Sequence, residues 1–182
     1  VKGGTNKIVE YIGPGARSIS CTGKGTIANM GAELGATTSV FPYDEHMRKY
    51  LEHTNRKDIS ELCDQFSDVL VPDPEVEKDP KKYYDDVIEI DLDQLEPYIV
   101  GPHSPDLARP VSKMAQEAKE KSYPTQLSAC LIGSCTNSSY EDISRAVSIV
   151  EEALTRGLKA KMPFFVSSAK LSPKFLFFSG YL

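Results

Sequence analysis

A single thiol flanked by hydroxyls, Ser134-Cys135-Thr136, carries the richest chemistry in this sequence. It follows an apolar run over residues 126–132 and precedes a small polar stretch and then a helical pattern. The sulfur is therefore expected between a strand end and a helix N-terminus. There the helix dipole and nearby N–H donors lower a thiol's pKa and favour the thiolate, the form that attacks carbon or ligates metal. On these residues alone two uses stay open, nucleophile and metal ligand, beside a third reading as a small cysteine packed into a turn. A Cys–His nucleophile pair could draw only on His46, His53 or His103, in stretches that read as exposed helix or connection. A closed metal site needs several ligands, yet Cys130 lies inside the strand and no C-x-x-C pair occurs, so partners of a ligating Cys135 are expected elsewhere. A second group, Asn29 and Glu33, sits in the glycine-rich segment that starts at Cys21. An amide and a carboxylate four apart on one helix share a face, and the glycines would let that face approach a cofactor. The plainer readings are a solvated helix-end acid for Glu33, a turn former for Asn29, and ordinary small packing residues for Cys21, Cys63 and Cys130.

The elements that position these residues read as α/β. Residues 7–12 form a β-branched, apolar run stopped by Gly13-Pro14-Gly15, and a second short strand is expected over 17–20. Ile27, Met30 and Leu34 keep helical spacing through the glycine-rich segment, so a short helix is predicted there, followed by a strand over 37–41 that Pro42 ends. Two amphipathic helices come next, one presenting Met47, Tyr50 and Leu51, the other Ile59, Leu62, Phe66, Val69 and Leu70. Asp58 and Glu61 fit an N-cap and its partner. Residues 71–86 read as a charged surface loop, 87–92 as a strand, and the Pro/Gly-rich stretch 97–110 as an extended connection between domains. Beyond it a helix over 112–121, a strand over 126–132, a helix capped by Ser139 and Asp142, and a strand over 162–166 give a βαβ unit. Its loop, which carries Cys135, should lie at the carboxyl end of the strand, where open α/β sheets bind ligands.

The chain has 182 residues, 40% hydrophobic and 26% charged, with 12 Gly and 12 Pro, which excludes wholesale disorder and low complexity. A net charge of −5 supplies no basic footprint for phosphate backbones, so a nucleic-acid reader is disfavoured. Four cysteines without a framework spacing point to a reducing compartment. Apolar runs such as 162–166 and 175–178 fall far below the roughly 20 residues of a membrane helix. No membrane association is expected.

Two ordered blocks then resemble one family. The run Leu131-Ile132-Gly133-Ser134-Cys135-Thr136-Asn137-Ser138-Ser139-Tyr140-Glu141-Asp142 resembles the first iron–sulfur ligand loop of aconitases. Ser20-Cys21-Thr22-Gly23, then Asn29-Met30-Gly31-Ala32-Glu33, then Gly35-Ala36-Thr37-Thr38-Ser39-Val40-Phe41-Pro42 resemble the second domain of the mitochondrial-type enzymes. The likeness runs from Val1 to about Val166. It implies an α/β fold with parallel-rich sheets flanked by helices, arranged as the family's three-layer domains. Residues 1–96 would be second-domain-like, 97–110 a connection, 111–167 the first βαβ unit of the third domain, and 168–182 an apolar tail that does not match the family. It implies reversible isomerisation of citrate to isocitrate through cis-aconitate, with a [4Fe–4S] cluster whose open iron acts as a Lewis acid. Cys135 would be one of the three cluster cysteines, Ser134 a neighbouring active-site hydroxyl, Glu33 the acid near the iron-bound oxygen, and Asn29 the amide beside the cluster. The other two ligands form a C-x-x-C pair that this sequence lacks. The chain accordingly reads as an internal fragment, inactive alone, of a mitochondrial-matrix enzyme that is typically monomeric. A sister hydro-lyase of the isopropylmalate or homoaconitate type, or a non-catalytic short form acting by binding, are the alternatives. An RNA-binding aconitase-like role is a weaker third.

Overall fold

The computed structural model describes residues 3–134 and 136–167, which form two units, Val1–Pro97 and Tyr98–Leu182. The first opens with β1 (Ile8–Glu10), then α1 (Gly13–Ser18), α2 (Cys21–Gly31) and β2 (Thr38–Val40). β1 and β2 pair in parallel, with Val9 opposite Ser39, and Tyr11 stacks on Phe41 at 4.4 Å between ring centroids just beyond the ladder. A parallel pair needs a crossover, and the two helices supply it. Of the strand expected over 17–20, Ile19 and Ser20 are instead the caps between α1 and α2, and Arg17 and Ser18 end α1. Pro14 stands in that helix's first turn, where its fixed φ favours helix and its missing N–H costs nothing, and Ala16 is buried beneath it.

α2 starts at an N-cap, Ser20, whose Oγ accepts from Gly23 N at 3.1 Å. Its C-terminal end is a Schellman closure: Ala36 N donates to Gly31 O at 3.1 Å, Gly35 N donates to Ala32 O at 3.0 Å, and Gly35 takes φ +78°. The chain thus stays helical past Gly31, tightened to i→i−3 bonds, and Glu33 lies in that last turn.

α3 (Glu45–His53) and α4 (Lys57–Gln65) are joined by Arg48, whose Nε donates to Asp64 Oδ2 at 2.9 Å. The cap of α4 is Arg56, without a side-chain bond, so the expected capping role of Asp58 is not seen; Asp58 sits in the first turn, where a negative charge favours the dipole. The expected loop 71–86 contains two short helices, α5 (Pro74–Lys78) and α6 (Pro80–Tyr83), each begun by proline. Three side-chain links tie this stretch to the start of the unit: Arg17 to Glu77 at 2.7 Å, Tyr84 Oη to Glu10 Oε2 at 2.6 Å, and Lys7 to Asp86. Residues 87–92, expected as a strand, take no regular secondary structure and join no ladder among the described residues, Leu92 already lying in a turn.

In the second unit the expected connection holds a hairpin. β3 (Tyr98–Val100) runs antiparallel to β4 (Ala108–Pro110), with a cis Gly101-Pro102 bond in the turn. α7 (Val111–Glu120) packs beside it through Arg109, a buried guanidinium that donates to Glu117 Oε2 at 2.9 Å and to the Gly101 carbonyl. The βαβ unit follows as β5 (Cys130–Ile132), α8 (Tyr140–Thr155) and β6 (Phe164–Val166), with the two strands parallel and Leu131 opposite Phe165. α8 carries the predicted capping box: Ser139 Oγ accepts from Asp142 N at 3.2 Å while Asp142 Oδ2 accepts from Ser139 N at 3.1 Å. The stop is equally legible, since Gly157 takes φ +67° and Leu158 N donates to Ala153 O at 2.9 Å.

Candidate functional site

Each unit carries its own group of candidate residues. In the second, the loop 133–139 leaves the carboxyl end of β5 and enters α8, the strand-to-helix corner that the sequence predicts. Gly133 has φ +137°, and a Cβ there would overlap the carbonyl oxygen of Ser167, which follows β6. Ser167 N in turn donates to Ile132 O at 2.9 Å, so the two strand ends are clasped at the corner. Ser134 follows with φ +79°, uncommon for a residue with a side chain, and its side chain is exposed. Its backbone is braced by Ser138, a buried hydroxyl that donates to Ser134 O. Cys135 and the tail 168–182 lie outside the described residues.

In the first unit, Asn29 and Glu33 are both exposed on the C-terminal turns of α2. Regular α-helix would place residues four apart about 40° from each other around the axis. The tightened last turn winds faster and rotates Glu33 further round than that. The opposite side of α2 is buried at Lys24 and Gly31. Lys24 forms an ion pair with Asp44, while a Cβ at Gly31 would stand 2.5 Å from Ser39 Oγ. Neither Lys24 nor Ser138 is singled out by the sequence. Lys24 does occupy the first position of a Lys24, Ile27, Ala28, Gly31 stripe at i, i+3, i+4, i+7 spacing, which is the signal that could have found it.

Among the described residues no three His, Cys, Asp or Glu side chains gather to hold a metal ion. Cys21, Cys63 and Cys130 are each half-buried and free. Burial pushes the Cys21 thiol up, against Lys24 nearby, so this sulfur favours the protonated form.

A family model described as the aconitase family (aconitate hydratase) matches residues 1–170. The chain belongs to the aconitase family. It is 52% identical over 167 residues to the mitochondrial aconitate hydratase of Schizosaccharomyces pombe, covering 92% of this chain and 20% of that protein. The probable mitochondrial aconitate hydratase of Caenorhabditis elegans is 54% identical over 167 residues, covering 92% of this chain and 21% of the relative. The mitochondrial homocitrate dehydratase of Saccharomyces cerevisiae is 50% identical over 167 residues, with 92% and 21% covered. The chain thus spans about a fifth of the length of the curated relatives it matches. Membership of the aconitase family agrees with the α/β character seen here: parallel ladders in both units, each closed by a helical crossover.

Proposed function

We propose that this chain is a working part of a mitochondrial aconitate hydratase, supplying some of the residues that interconvert citrate and isocitrate through cis-aconitate. The observation that carries the reading is the family match across residues 1–170, spanning both the α2 turn and the β5–α8 corner. Aconitases use a [4Fe–4S] cluster, which when bound supplies a Lewis-acid iron that polarises a hydroxyl and a carboxylate oxygen. Cys135 would give that cluster one thiolate. Its remaining anchors would have to come from polypeptide beyond this sequence, and the working enzyme would be a monomer.

What the chain's own residues can do follows from their chemistry. Glu33 is an exposed carboxylate able to hold or take a proton beside a substrate oxygen. Asn29, on the same helix, offers both an N–H donor and a carbonyl acceptor to a polycarboxylate rich in oxygen. Ser134 presents its hydroxyl at a corner fixed by Gly133 and Ser138, a rigid mounting suited to orienting one substrate group.

A sister hydro-lyase is the second reading, favoured by the 50% identity to a homocitrate dehydratase. Replacing the matching 167-residue stretch of the fission-yeast enzyme with this chain tests both. The graft should interconvert citrate and isocitrate. Glu33→Gln should lower kcat by about 10²-fold or more while iron content stays the same, as expected for loss of a proton-transfer group. Cys135→Ser should lose cluster and turnover together. Full turnover in Cys135→Ser would overturn the ligand assignment, and a graft that works only inside the homocitrate dehydratase would select the second reading.

A further inference from the structure

α2 has a buried face of unusual make-up. Its two fully covered residues are a lysine and a glycine. The apolar residues Met30 and Leu34, which follow its stripe, remain exposed. Lys24 is 2% exposed and meets Asp44, whose side chain is 14% exposed. Asp44 is engaged twice, because its other oxygen accepts from Met47 N at 3.1 Å as the N-cap of α3. One carboxylate therefore binds the side of α2 and the head of α3 together. At the far end Gly31 sits against Ser39 of β2, whose Oγ is buried with no hydrogen-bond partner among the described residues. A bare hydroxyl contact of that kind sets distance but not direction. The ion pair is directional and, once buried, strongly resists opening, since removing one partner leaves an uncompensated charge.

We propose that Lys24 is a positioning residue: its pair with Asp44 fixes the rotation of α2 about its own axis, and with it the direction in which Asn29 and Glu33 are presented. At about 100° per residue, Asn29 stands about 140° round the helix from Lys24, so the anchor and the presented amide lie on opposite sides. Rotation at the anchor is passed directly to the exposed side. The proposal rests on the reading of Asn29 and Glu33 as site residues.

The test uses the grafted enzyme and the 182-residue chain. In the graft, Lys24→Met combined with Asp44→Asn removes both charges and keeps a good N-cap, so thermal stability should stay near that of the unsubstituted graft. Its kcat should nonetheless fall about tenfold with KM within about twofold, and cluster iron unchanged. In a Glu33→Gln background the same pair of substitutions should cost little more, because a residue acting through Glu33 has nothing left to position. A kcat within twofold of the unsubstituted graft, or an undiminished loss in the Glu33→Gln background, would overturn the proposal. An inactive unsubstituted graft would count against the functional reading instead. The anchor is then judged on the 182-residue chain by amide hydrogen exchange: Lys24→Met should speed exchange across residues 25–35 at least tenfold and leave α8 unchanged, and equal exchange in the two proteins would refute it.

Discussion

At the strand-to-helix corner, two consecutive residues, Gly133 and Ser134, hold positive φ. The first has no alternative, because any side chain there would run into the Ser167 carbonyl. The second carries a side chain in a conformation that costs of order 1 kcal/mol and persists only where its surroundings impose it. Ser138 is that surrounding, bonded to the Ser134 carbonyl from a buried position. Two successive residues of positive φ turn the chain away from the line of β5. Gly133→Ala should consequently destabilise the fold by about 2–4 kcal/mol, the range for combined backbone strain and overlap with rigid backbone. Chemical denaturation of the grafted enzyme would measure it, and a loss below about 0.5 kcal/mol would show that the corner relaxes. The sequence displays the small polar run but gives no sign that Ser138 would be the buried hydroxyl, since Ser138 and Ser139 are alike until the helix start divides their tasks into brace and cap.

Helices and strands were legible where local signals agree. α8 has apolar residues at helical spacing, a capping box and a glycine stop, and each is found in place. α2 is legible from Ile27, Met30 and Leu34 despite its glycines, yet the face it buries includes Lys24, whose charge masks its place on the Lys24, Ile27, Ala28, Gly31 stripe. Misreadings fall where proline has two meanings. Pro14, expected only to stop a strand, and Pro74 and Pro80, within an expected loop, each begin a helix, and the connection 97–110 folds back as a hairpin beside which Arg109 meets Glu117 of the following helix. Pairing across sequence is likewise invisible locally. Tyr43 shows this: its hydroxyl donates to Asp64 of α4 at 3.0 Å. Partial burial first, and that hydrogen bond second, push its phenol up to about 12. The folded state thus favours neutral Tyr43, so this contribution to stability is complete below the ordinary phenol value near 10 and is lost as pH rises through about 12. Absorbance titration should show a tyrosine ionising near 12 that Tyr43→Phe removes. An unchanged titration in that variant would show that the α3–α4 contact does not shield it.

Taken whole, the described residues bury few apolar side chains completely: Ala16 alone falls in that class. Leu131 and Phe165, opposite each other on the β5–β6 ladder, are 63% and 46% exposed, and Ile88 and Ile90 stand in the stretch 87–92 at 84% and 62%. A two-stranded ladder with one helix cannot enclose its own sheet face. Good local signals therefore coexist with a core that the described residues do not close. The same incompleteness appears in its chemistry, where the sequence holds no C-x-x-C pair and no three metal-binding side chains gather among the described residues. Both point to one outcome for the 182-residue polypeptide by itself. After anaerobic reconstitution with iron and sulfide it should hold well under one cluster per chain, show no citrate isomerisation, and bind a hydrophobic dye at its exposed ladder faces. Iron and sulfide at four each per chain with turnover would show that these residues close a site unaided, and would remove the reason for seeking the remaining anchors elsewhere.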